Sequence, residues 1–114
     1  QLGKGAPEAG LRIGTTEREG WIVVAMEGEL DLAESPAATR ALAAAADAAR
    51  RGVEVDLSEL TFMGSTGVRT LIDAAGDALA RGLSFRTLPG DGPALRIIDL
   101  LGVGERLGAV GPPG

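Results

Sequence analysis

The chain has 114 residues, a net charge of −5 and neither cysteine nor histidine, which together remove several function classes. Without cysteine there are no disulfides, thiol nucleophiles or cysteine-bound metals, and without histidine any acid–base work near neutral pH falls to carboxylates or to Lys4, the single lysine. Sixteen acidic against 11 basic residues argue against nucleic acid or an anionic membrane as partner and for a basic protein patch.

The length is that of one domain. Aromatics at 3% leave the core to Leu, Ile, Val and Ala. No apolar run approaches the ~20 residues that span a bilayer, and the opening QLGKGAPEAG lacks the apolar core of a signal peptide. The cytoplasm is therefore the expected location. Gly, Pro and Ala mark residues 1–10 as a flexible leader and residues 111–114 as a flexible tail around a single domain at 11–110.

In chain order, Leu11–Thr15 and Trp21–Met26 are β-prone and joined by the polar stretch 16–20, which predicts a hairpin. The stretch 27–31 closes the second strand. Ser35-Pro36 supplies an N-cap and a first helical proline, and an Ala-rich helix follows to about Arg51, ended by Gly52, with Ala38, Leu42, Ala45, Ala46 and Ala49 inward.

Val53, Val55 and Leu57 then alternate with Glu54, Asp56 and Ser58, the period of a strand. Leu60 to Met63 form an apolar link, in which Phe62 is expected to be buried and to hold the turn that follows. After Gly64-Ser65-Thr66-Gly67, the spacing of Val68, Leu71, Ile72, Ala75 and Leu79 predicts an amphipathic helix, with Arg69, Thr70, Asp73, Asp77 and Arg81 outward. Leu83–Leu88 reads as a strand and Pro89–Pro93 as a turn. Ala94, Leu95, Ile98 and Leu101 mark a third helix before Gly102.

This order implies an α/β sheet whose last two crossovers are right-handed and join parallel strands. The loops GELDLAES, TFMGSTG and PGDGPAL then leave one edge of the sheet together, the usual edge for ligands and partners.

At that edge Ser65 is a candidate nucleophile, phosphoacceptor or helix cap. A nucleophile needs a base, and with no histidine and Lys4 in the leader, phosphoacceptor and cap remain. Asp31, Asp56 and Asp91 make a poor metal or receiver-type phosphoryl site because Asp56 lies inside its strand. No G-x-x-x-x-G-K-[ST] phosphate loop is present.

The run DLSELTFMGSTGVRTLIDA, with GELDLAES before it and GPALRIIDLLGV after it, resembles the STAS-domain family of anti-sigma-factor antagonists, from about Leu11 to Leu107. The resemblance implies a mixed β-sheet of about four to five strands with about three main helices packed on it. It also implies a non-enzymatic protein without a cofactor of its own. Unphosphorylated, such a protein occupies an anti-sigma factor that is also a serine kinase; phosphorylation switches it off and a serine phosphatase restores it.

The family's phosphorylated serine, directly after an aspartate, falls on Ser65, with Thr66 as the alternative. Gly64 stands at the aspartate position. Asp31, Gly64, Ser65, Thr66, Gly67, Arg69 and Asp73 are the candidate partner contacts. Two other functions stay open: a constitutive docking or accessory subunit of a lipid-transport ATPase or signalling scaffold, and a carrier of nucleotide or lipid at the loop edge.

Overall fold

In a computed structural model, residues 10–110 are described, and the expected leader and tail lie almost wholly outside them. The elements are β1 (Leu11–Arg18), β2 (Trp21–Leu30), α1 (Ser35–Ala48), β3 (Gly52–Met63), α2 (Ser65–Ala80), β4 (Ser84–Leu88) and α3 (Pro93–Leu101). The four strands form one sheet in the order β1-β2-β3-β4. β1 is antiparallel to β2, whereas β2, β3 and β4 are parallel. The α/β class and strand polarity expected from the sequence are both present.

The hairpin is tighter than the polar stretch 16–20 suggests. Glu19 and Gly20 both have positive φ, 54° and 88°, which makes a two-residue turn whose twist matches the flanking strands. Pairing therefore continues to Arg18 opposite Trp21.

The central strand is also longer than its alternating pattern. β3 runs through the supposed link to Met63, and beyond Leu57 its buried residues are Leu60 and Met63. The β2–β3 register shifts between Ala25 and Glu27 and again between Gly28 and Glu29. Each shift adds a residue to β3, the mark of a β-bulge. A three-residue spacing replaces alternation and turns Leu60 inward, and because there are two bulges the parity is restored by Met63, leaving Phe62 on the outward side. Phe62 is 48% exposed and Met63 is buried, which corrects the expectation that Phe62 anchors the turn.

Val24, Met26, Val53, Val55 and Leu57 face the helices and meet Leu42, Val68, Leu71 and Ile98 in one core. α1 ends at Ala48, since Ala49 is already extended, and Gly52 opens β3 instead of stopping the helix. A Cβ there would meet the Trp21 ring and the Ser84 carbonyl at 2.7 Å. The inward stripe of α1 is as expected, with Ala49 half-buried.

On α2, Ala78 is buried and Leu79 is 64% exposed, so the apolar stripe ends one residue earlier than its spacing indicates. Arg81 ties α2 to α1 through Asp47, and to its own helix through Asp77 at 3.1 Å. In α3, Ala94 and Ile98 are buried while Leu101 is 46% exposed; Gly102 closes the helix with a left-handed φ of 67°. Beyond it, Gly108 and Val110 exchange backbone hydrogen bonds with Thr87, covering part of the outer edge of β4.

Candidate functional site

β2 and β3 reach the carboxyl edge together, with Leu30 opposite Met63. The Gly64 N–H donates to the Leu30 carbonyl at 3.1 Å, so the chain leaves both strands from one point. After Leu30 it makes a single turn. The Glu34 N–H donates to the Asp31 carbonyl at 3.2 Å, and the Asp31 N–H donates to the Glu34 carboxylate at 3.0 Å. Glu34 is buried, which fixes the backbone that carries Asp31.

On the other side, Gly64 is the N-cap of α2 and Ser65 its first helical residue. Gly64 is extended, with φ −101° and ψ 176°, a conformation open to any residue. What requires glycine is space. A Cβ at 64 would fall on the Asp31 carboxylate, and a Cβ at 67 would meet the Leu30 carbonyl at 2.6 Å and its side chain at 2.9 Å. The two glycines let the first turn of α2 sit against the end of β2 and the residue after it.

Ser65 is exposed and Thr66 half-buried, and no side chain caps the helix. The first intrahelical bond at this end is from the Val68 N–H to the Gly64 carbonyl, 3.2 Å. The N–H groups of Ser65, Thr66 and Gly67 are thus the orphan donors of a helix start. A capping role for the Ser65 hydroxyl does not account for its position.

Arg69 and Asp73 are exposed on α2 as expected, but Thr70 is buried. Its hydroxyl donates to the Thr66 carbonyl at 3.0 Å and is hydrogen-bonded to Ser35 Oγ. Ser35 is not the α1 cap, a place held by Glu34. Instead it links the start of α1 to the first turns of α2.

The three loops do not end level. β4 pairs with β3 only as far as Leu88 opposite Asp56, and Gly90 packs on Ser58. PGDGPAL, with Asp91, therefore lies beside the middle of β3. Asp56 is on the open face of the sheet, where its carboxylate accepts from the Ser58 N–H and hydroxyl at 2.9 and 2.6 Å. Only two of the three loops, those carrying Asp31 and Ser65, meet at the carboxyl edge.

Two apolar residues are unexpectedly exposed at this edge, Leu32, which the sequence reading overlooks, and Phe62, which it assigns to the core. Leu32, next to Asp31, is 74% exposed and Phe62 is 48% exposed. Exposed large apolar side chains beside an exposed hydroxyl and a carboxylate suit a protein-binding surface. The only signal for Leu32 was an isolated leucine outside any periodic run.

The comparisons agree with this architecture. The family model described as "Mlab, STAS domain" matches residues 13–109, and the chain belongs to the STAS-domain family. An anti-sigma factor antagonist from Mycobacterium paratuberculosis superposes with a TM-score of 0.79 and 27% identity, over 94% of this chain and 90% of that one. The unphosphorylated form of the anti-sigma factor antagonist SpoIIAA gives 0.70 and 17%, over 87% and 88%. A STAS-domain antagonist from Rhodobacter sphaeroides gives 0.58 and 17%, over 73% and 90%. At 17% identity the last two speak for the fold alone. No curated protein matches the chain in sequence. Among the described residues, no helix is long and apolar enough to cross a membrane.

Proposed function

We propose that this protein is an anti-sigma-factor antagonist, a non-enzymatic cytoplasmic switch that holds an anti-sigma factor when Ser65 is unmodified and releases it when Ser65 is phosphorylated. The observation that carries this reading is the exposed Ser65 hydroxyl at the start of α2, with no capping bond to make. The kinase is the anti-sigma factor itself. The Ser65 Oγ–phosphorus bond forms as the terminal phosphoanhydride bond of ATP breaks, ADP leaves, and the hydroxyl proton passes to a base on the kinase.

The modification adds about −1.5 to −2 charges. The free N–H groups and the positive end of the helix dipole tolerate that charge in place, so the helix persists and the change falls on binding. A serine phosphatase reverses it. Thr66, Gly67, Arg69 and Asp73 complete the contact surface beside Asp31 and Gly64.

The test is to incubate the protein with its cognate kinase-like anti-sigma factor and ATP and to locate the phosphate by mass spectrometry. Phosphate is expected on Ser65, retained in Thr66→Ala and lost in Ser65→Ala, which should still bind. Phosphate on Thr66 alone would move the site by one residue. A second reading, a constitutive docking module of a transporter or scaffold, is favoured by Gly64 in place of the family aspartate. Binding intact with no phosphate at all is its expected outcome.

A further inference from the structure

We infer that Asp31 is the specificity-determining residue of the Ser65 site: its carboxylate, seated where a side chain at position 64 would lie, is the fixed anion that a cation on the protein partner must meet. The inference rests on the reading of Ser65 as a partner-facing residue. It adds which charge the partner must carry and why position 64 has no side chain.

The seat is defined from three sides. Oδ1, Cγ and Oδ2 of Asp31 are the three atoms nearest to a Cβ built on Gly64, so the carboxyl group itself occupies that volume. The backbone beneath it is held by the reciprocal bonds with Glu34, at 3.0 and 3.2 Å. Opposite lies the uncapped start of α2, whose partial positive charge favours an anion there. Gly64 has no conformational need to be glycine, which leaves the carboxylate as the reason.

Four of the arginines are engaged elsewhere. Arg12 pairs with Glu27, Arg18 and Arg86 with Glu54, and Arg81 with Asp47 and Asp77. None of the ion pairs among the described residues includes Asp31. A half-exposed carboxylate on a held backbone, with exposed Leu32 next in the chain and exposed Phe62 near the end of the neighbouring strand, matches a partner with a basic side chain set among apolar ones. A phosphate on Ser65 places a second anion beside it, and one cation cannot neutralise both.

Two measurements test this. In binding to the anti-sigma factor, Asp31→Asn keeps the shape and removes the charge; affinity should fall roughly tenfold or more at low salt, and the gap should narrow as salt is added, with melting unchanged. In thermal melts, Gly64→Ala should lower the melting temperature by roughly 5 °C more in the parent than in Asp31→Ala, because only the parent has a carboxylate to displace. Equal affinities of parent and Asp31→Asn overturn the inference while leaving Ser65 as the switch. Equal effects of Gly64→Ala in both backgrounds overturn the seat itself. If the parent binds no anti-sigma factor, the reading of Ser65 fails first and this inference with it.

Discussion

The two ends of the sheet treat charge in opposite ways. At the end where β2 and β3 begin, Glu54 is 5% exposed, held by Arg86 at 2.6 Å and Arg18 at 3.7 Å. The Arg86 guanidinium also lies 3.9 Å over the Trp21 ring. A buried carboxylate costs several kcal/mol unless it is paired, and here the chain supplies the cations. At the other end the backbone of Asp31 is held by Glu34, yet none of the ion pairs among the described residues includes its carboxylate, and Ser65, Leu32 and Phe62 are exposed at the same edge. One end is complete within the chain; the other is the one proposed to meet a partner. Glycine follows the same division, with Gly52 giving room to Trp21 and Gly64 giving room to Asp31.

Substitutions at the two ends should therefore separate stability from binding. Leu30, fully buried beneath Gly67, supports the partner edge from below, and Leu30→Ala should destabilise by about 3 kcal/mol in urea melts and weaken binding as a consequence. Glu54→Ala should cost about 2 kcal/mol, less than a fully enclosed pair because both arginines reach solvent, and leave the affinity for the anti-sigma factor unchanged. A loss of binding there would erase the distinction. Thr70→Val removes the links to Ser35 and Thr66 and should cost about 1 kcal/mol, read from the same melts. Phe62→Ala should change stability least, by less than about 1 kcal/mol, while lowering affinity. A large stability loss would show that Phe62 belongs to the core after all.

The meeting of the Asp31 and Ser65 loops was legible in the sequence, whereas the contact between Asp31 and Gly64 was not. Strand polarity alone was enough to bring the loops of Asp31 and Ser65 to one edge, because parallel strands joined by right-handed crossovers leave no other arrangement. Periodicity found α2 and the first half of β3. It failed where the bulges opposite Ala25–Glu27 and Gly28–Glu29 turned a two-residue period into a three-residue one, hiding the end of β3, so that Phe62 reads as part of an apolar link and not as an outward strand residue. It failed again at Thr70, a polar residue on a nominally outward face that is buried and hydrogen-bonded to Ser35, 35 positions away. The contact of Asp31 with Gly64 was likewise invisible, since a glycine required by a distant side chain looks the same in sequence as one required by its own backbone.

The central claim is that the Ser65 edge binds its partner only while Ser65 is uncharged. The direct measurement is the dissociation constant for the anti-sigma factor, by calorimetry, for the protein before and after stoichiometric phosphorylation at Ser65, with circular dichroism on both forms. The account predicts a loss of affinity of at least about a hundredfold, of the size that truncating a buried interfacial charge pair produces, with unchanged helix content. Equal affinity in the two forms would contradict it.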